Sequence, residues 1–310
     1  MLGAACVAGC SAGPLALNAP EVAMAAARAP CPVDLEPIAT GAAIVGDFAA
    51  PGPASVLTAA MNNELRGRAL RAPETVHEPG GYTVRCTLDR FAVRTRESVT
   101  ESQEVLALYA DLSCEASRAS DHAAVWRGEL RARTFSEDAN VLGSDTSTRQ
   151  RLLDRALSDA ARELASDLAL RALGLLAEPS ARVFVDADQQ RLHSGLDDSP
   201  FGPAALQETG ATNPSIQKAI TDPNAPVRAA AWNALAMAAG PGDPWSAGVK
   251  LTLDDDAAVR FAQYKALARL GSDAALAQLR SAAGDGEPLL AELIADALRT
   301  GGTGFPRSRR

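Results

Sequence analysis

Between Asn213 and Leu298 the chain repeats itself, and no other feature limits its fold as strongly. Three segments place Ala-Leu seven residues after an aliphatic anchor: Val227 with Ala234-Leu235, Val259 with Ala266-Leu267, and Leu290 with Ala297-Leu298. The anchors lie 32 and then 31 residues apart. An acid stands five residues before each anchor in turn-like surroundings, Asp222 in TDPNAP, Asp254 in LDDDAA and Asp285 in GDGEPL. Self-similarity at this period marks stacked helical units, each of which buries its apolar face only against its neighbours.

The first helix of each unit follows from helical spacing. The stretch 226–238 is expected to bury Val227, Ala230, Ala231, Ala234 and Leu235, with a returning helix around Trp245 to Leu253. The second unit repeats this with Val259, Ala262, Ala266, Leu267 and Leu270, followed by Ala275, Leu276 and Leu279. A last helix, Glu287 to Thr300, stops at Gly301-Gly302 and reads as a terminal cap; residues 203–207 and 214–220 read as a degenerate first pair. Arg228 and Arg260 follow their anchors at one offset, and Ala291 takes that place in the third unit.

This pattern resembles HEAT-type helical repeats. The resemblance implies an all-α block over residues 201–300 that binds a protein partner. It also implies that Arg228 and Arg260 reach acids in neighbouring turns, Asp222, Asp254, Asp255 or Asp285, in a structural ladder that ends at Ala291. Trp232, Phe261 and Tyr264 recur one turn apart on the first helices. They form either a partner-binding patch or a face covered by an adjacent helix or by the preceding domain.

A chain of 310 residues is long enough for two domains, and a net charge of −8 with a pI near 5.0 argues against a surface for nucleic-acid phosphates. Hydrophobic residues reach 47% while aromatics stay at 4%, so packing must rely on alanine and aliphatics in a helix-rich composition.

A first domain is expected over 37–176. Ala43 to Phe48 reads as a strand, and Ser55 is placed to cap a helix carrying Val56, Leu57, Ala60, Met61 and Leu65. Tyr82 to Arg96 alternates as a strand with Val84, Cys86 and Leu88 on one face; beyond Asp89 the apolar phase slips to Phe91 and Val93, as a bulge would cause. Val105 to Ala116 and Ala123 to Phe135 give two more strands, the last with Trp126, Leu130 and Ala132 inward and a solvated face of Arg127, Glu129, Arg131 and Arg133. Thr146 to Leu176 is the longest amphipathic helix. The order β-α-β-β-β-α predicts an α+β domain, a single antiparallel sheet with both helices on one face. Residues 177–200 read as a linker and 301–310 as a flexible tail.

Cysteine placement bears on compartment. Val7-Ala8-Gly9-Cys10 resembles the bacterial lipobox, so 1–10 is read as a truncated lipoprotein signal with Cys10 as the lipidated residue and 11–36 as a disordered tether. No run is apolar and long enough to span a bilayer, so membrane attachment is expected through lipid only. Element order behind a lipobox is similar to that of small outer-membrane accessory lipoproteins of the lipopolysaccharide-transport plug type. That similarity implies an accessory protein of an envelope machine. Folding the hairpin 82–116 about its midpoint sets Cys86 opposite Cys114, within reach of a disulfide; the alternative is two buried thiols.

No residue set assembles an active site. Gly9-Cys10-Ser11-Ala12-Gly13 matches the nucleophile-elbow spacing but has no strand before it. His77, His122 and His193 lie in loops without metal-ligand spacing, and no phosphate-cradling or dinucleotide motif occurs. The expected function is therefore non-enzymatic and free of metal or cofactor. The first reading is a lipid-anchored periplasmic adaptor gripping an envelope protein through the repeats; the second is an accessory lipoprotein whose α+β domain acts while the repeats brace it. An accidental lipobox would make it cytoplasmic.

Overall fold

The computed structural model describes residues 16–17, 32–45, 52–67, 70–71, 81–97, 104–138, 146–177, 219–238 and 253–300. Within them, strands β1 (Val33–Leu35), β2 (Ala39–Val45), β4 (Tyr82–Glu97), β5 (Glu104–Arg118) and β6 (Ala124–Asp138) form one sheet, and β3 (Leu70–Arg71) pairs with β7 (Leu176–Ala177). Helix α1 (Pro53–Gly67) follows β2, and α2 (Thr146–Ser166) follows β6.

The sheet is mixed, where alternation and element order predicted an antiparallel one. β4, β5 and β6 are antiparallel, but β1 and β2 lie end to end along β4 and run parallel to it. The chain leaves β2 through α1, which carries it back along the sheet to the end where it started. A strand entered after such a crossover runs parallel to the one before it. At Gly41, where the β2 register shifts, an added Cβ would lie 2.6 Å from the Leu88 carbonyl oxygen, so only glycine permits this approach.

The predicted slip in β4 is a register shift between Leu88 and Arg90. Asp89 is the extra residue, and its carboxylate accepts from the Ser113 hydroxyl. The shift keeps Phe91 in the same buried layer as Val84, Cys86 and Leu88. Pro53 begins α1 two residues before Ser55; its fixed φ suits a first turn, while the Ser55 hydroxyl donates to the Gly52 carbonyl and does not cap the helix. Val56, Leu57, Ala60, Met61 and Leu65 of α1 then meet Leu153, Ala156, Leu157, Ala160 and Leu164 of α2 on the inner sheet face.

Two stretches differ from their expected state. The longest helix turns π-helical over Asp167–Ala172, closes with Leu173 N–H donating to the Leu168 carbonyl, and leaves at Gly174 with φ of 63°; Leu176 and Ala177 are strand. Part of the supposed tether is ordered: β1 pairs with β4, Leu17 is buried in the inner core, and the Gln150 amide bonds both backbone groups of Ala16. One leucine among small residues has no periodicity to announce it, yet burying it stabilises by about 2 kcal/mol.

In the repeat stretch the described helices are α3 (Ala225–Ala238), α4 (Ala257–Leu270), α5 (Asp273–Ser281) and α6 (Pro288–Thr300). Asp256 caps α4 by accepting from Val259 N–H, Gly271 ends it in the left-handed conformation, and Ser272 caps α5 by accepting from Ala275 N–H. The anchors Val259 and Leu290 are fully buried, and Val227 is nearly so. The returning helix expected around Trp245 to Leu253, the degenerate first pair and the linker lie outside the described residues save for their last few positions.

The sheet's outer face is not wholly solvated. Ala92 of β4, Val105, Ala107 and Tyr109 of β5 and Phe135 of β6 share a second apolar core with α3, α4, α5 and α6. Arg133, expected on a solvated face, is only 2% exposed. Alternation along β6 reports two faces, and at this end of the strand both are covered.

Candidate interaction surface

The arginine ladder is the most regular part of the repeat block. Arg228 forms a two-pronged pair with Asp254, at 2.7 and 2.8 Å, while its Nη1 donates to the carbonyls of Asp222 and Pro223. Arg260 repeats this one unit later, with Nε 2.9 Å from Asp285 and Nη1 on the carbonyls of Asp254 and Asp255. Each guanidinium thus ties a turn of its own unit to an acid of the next. A planar fork of five donors satisfies both at once, which lysine could not do. Hydrogen bonding from Arg228 holds the Asp254 carboxyl below the usual range. Burial raises that of Asp285, but bonds from Glu287 N–H, the Tyr264 hydroxyl and Arg260 outweigh it, and the net shift is downward.

Trp232, Phe261 and Tyr264 do not form an exposed patch. They are 6%, 3% and 0% exposed and belong to the core shared with the sheet. Phe261 stacks on Phe135 of β6 with ring centroids 5.0 Å apart, and the Tyr264 hydroxyl donates to Asp285 at 2.7 Å. Of the two expectations for these aromatics, coverage by the preceding domain is what the structure has. Aromatic rings at helical spacing give large apolar area wherever a second surface meets the helix, so spacing alone does not say whether that surface belongs to the same chain.

Two buried charge clusters flank this apolar seam, and spacing pointed to neither. On the sheet, Arg133 Nε donates to Asp296 of α6 at 2.8 Å, Arg90 Nη1 donates to the other oxygen at 2.6 Å, and Arg299 also reaches Asp296. Asp111 lies 2.7 Å from Arg133 as a charge pair without hydrogen-bond alignment. Both guanidinium groups stand over the Tyr109 ring, at 4.9 and 5.3 Å from its centroid. Burial pushes the Asp296 carboxyl up, but the charge of Arg133 and the bonds from both arginines hold it below the usual range. Burial also raises the Tyr109 hydroxyl.

The second cluster joins α4 to α2 around the edge of the sheet. Arg269 bonds Glu163 and both oxygens of Asp167, the first residue of the π turn, and its Nε donates to the Ala236 carbonyl of α3. Lys265 lies 2.8 Å from Glu163. Charges alternate in sign across the seam: the sheet offers arginines to an α6 acid, and α2 offers acids to α4 bases. Such an arrangement fits in one orientation and penalises others. A sequence signal existed. Lys265 and Arg269 are one turn apart on a helix apolar on its remaining sides, as are Glu163 and Asp167 on α2, and such a pair inside an apolar run must find a partner.

Cys86 and Cys114 are register partners in β4 and β5 and are joined by a disulfide. On the outer face beside them, Arg85, Thr87, Ser113, Glu115 and Arg127 line a shallow groove of about 290 Å3. Its arginines are paired with Glu36 and Glu115 and show no charge surplus. His122 is exposed at φ of 56° in the β5–β6 turn, where Asp121 accepts from Ala123 N–H, so this His/Asp pair serves the turn. Among the described residues no group of three His, Cys, Asp or Glu is placed to hold a metal, and no helix is long and apolar enough to cross a membrane. Cys10, His77, His193 and the Gly9–Gly13 motif lie outside the described residues.

Residues 212–299 match the family model of HEAT repeats. No curated protein matches the chain. Among solved structures it is similar to a presumed lipoprotein from Caulobacter crescentus CB15, at 18% identity over 45% of this chain and 89% of that one, with a TM-score of 0.28. It is also similar to a minor lipoprotein from Acinetobacter baumannii, at 10% identity over 47% of this chain and 98% of that one, again with a TM-score of 0.28.

Proposed function

We propose that this HEAT-repeat-bearing chain is a non-enzymatic accessory scaffold of the bacterial cell envelope, lipid-anchored at Cys10 on the periplasmic face of the outer membrane. In this reading the α+β domain presents the partner-binding surface and the HEAT-type helices brace it. The observation that carries the reading is the burial of Trp232, Phe261 and Tyr264 against the sheet, which leaves those rings no free surface with which to hold a protein. The Cys86–Cys114 disulfide supports an oxidising compartment, and the VAGC motif supports export and acylation.

What remains outward is the polar half of the sheet, around Arg85, Glu115 and Arg127, and the solvent side of α5, with Asp273, Ala277 and Arg280 exposed. A photo-crosslinking residue placed in living cells at Arg127 on the sheet, or at Ala277 on α5, separates the bracing reading from the adaptor reading. Capture of an envelope protein from position 127 and not from 277 is expected. Capture from 277 alone would return the binding role to the repeats. Cell fractionation of Cys10→Ala tests the anchor: the variant is expected to leave the membrane fraction, and an unchanged distribution would remove the lipid from this account.

A further inference from the structure

The N-terminal segment is docked close to the first half of α2. Gln150 accepts from Ala16 N–H at 2.9 Å and donates to its carbonyl, a two-point hold on a single peptide position, and Leu17 fills the inner core beside it. Ala16 stands six residues after Cys10. A fully extended chain of that length spans no more than about 20 Å, so a lipid on Cys10 would keep this part of α2 near the bilayer surface.

The same part of α2 is basic on its outward side. Arg151 and Arg155 are exposed and one turn apart, about a third of a turn round the helix from Gln150 and within about 8 Å of it along the axis. Arg149 is half-buried next to them. The nearby acids are engaged from the side: Asp154 accepts from Gln150 at 2.7 Å and Asp159 from Arg162 at 3.1 Å. The remaining acids of this helical segment, Glu163 and Asp167, face Lys265 and Arg269 in the seam. A chain of net charge −8 therefore carries basic groups next to the point where its N-terminal segment is held.

We infer that the exposed side of α2 around Arg151 and Arg155 lies against an anionic phospholipid surface. Each arginine near such a surface is attracted to it, and the attraction falls off within a Debye length, so the short leash and the basic side act together. The helix layer then faces the bilayer, and the part of the sheet bearing Arg85 and Arg127 faces away from it. The leash rests on the lipid-anchored reading above, whereas the basic surface stands on the geometry of α2.

The test uses the full chain with Cys10→Ala, so that lipid on the protein plays no part. It is floated with vesicles of phosphatidylcholine, with or without about one third phosphatidylglycerol. Binding is expected only with phosphatidylglycerol, with release at high salt. Arg151→Gln/Arg155→Gln should reduce it to the phosphatidylcholine level, while Arg85→Gln/Arg127→Gln, the same charge change on the sheet, should leave it unchanged. Circular dichroism confirms that both variants are folded. Equal loss in the two variants, or equal binding to both vesicle types, overturns the inference. Mass spectrometry of Cys10 in the native protein is read separately: an unacylated Cys10 removes the leash and the lipid anchor, and leaves the vesicle result to decide the basic surface.

Discussion

At the scale of single residues, the seam is set by charges that cannot be removed singly. Asp296 is 1% exposed and holds Arg133, itself 2% exposed, so Asp296→Ala would leave a guanidinium buried without its strongest partner. That change is expected to destabilise the protein by about 3–5 kcal/mol, whereas Arg133→Met with Asp296→Leu should lie within about 2 kcal/mol of wild type or exceed it. Urea unfolding of the four members of this cycle measures both figures. Similar costs for the single and the double change would mean that the cluster is not a coupled pair. In the ladder, Arg260→Ala removes bonds to Asp285 and to two carbonyls and should cost about 2–3 kcal/mol. The corresponding place in the third unit is already Ala291, so Ala291→Arg should give no gain.

At the scale of elements, the hairpin β4–β5 is held by register and by a covalent link. The disulfide closes a sequence separation of 28, for which chain entropy gives about 3–4 kcal/mol. The double change Cys86→Ala/Cys114→Ala is expected to lose about that amount, and thermal unfolding with and without reductant checks it: reductant should lower the midpoint of the wild type and leave the variant unmoved. The π turn at Asp167 has its own role at this scale. It ends α2 with a carboxylate aimed at Arg269, and it precedes the short strand that closes on β3. Regular helical spacing from Thr146 onward did not announce the wider turn, because a π turn inserts a residue without interrupting the apolar pattern before it.

For the whole molecule, the acids of the ladder and the seam give stability a definite pH dependence. Asp254, Asp285 and Asp296 all have carboxyls held below the ordinary value of 3.8. A carboxyl that is more acidic in the folded state adds stability above its unfolded pKa and loses it as pH falls through the folded one. The midpoint of thermal unfolding should therefore be flat in these groups above about pH 5 and fall steeply below about pH 4. Arg228→Ala/Arg260→Ala should make that acid limb shallower, since Asp254 and Asp285 then titrate nearer their unfolded values. An acid limb as steep as that of the wild type would deny the ladder its part in it.

The sequence by itself determined what local periodicity can encode. The repeat, its arginine ladder, the sheet strands, the bulge at Asp89 and the Cys86–Cys114 juxtaposition all follow from spacing of 3.6 or of 2 and from hairpin register. Only the tertiary structure decided what each face meets. Trp232, Phe261 and Tyr264 read equally well as a surface for another protein or for this one, because burial is a property of two surfaces and the pattern on a helix describes one. For the same reason Arg133 read as solvated, Leu17 as tether and β2 as antiparallel. The partner of each lies far along the chain, in Asp296, in the α2 core and in the return path through α1. The repeat thus stated that its helices must be covered, and the fold supplied the cover from the chain's own sheet.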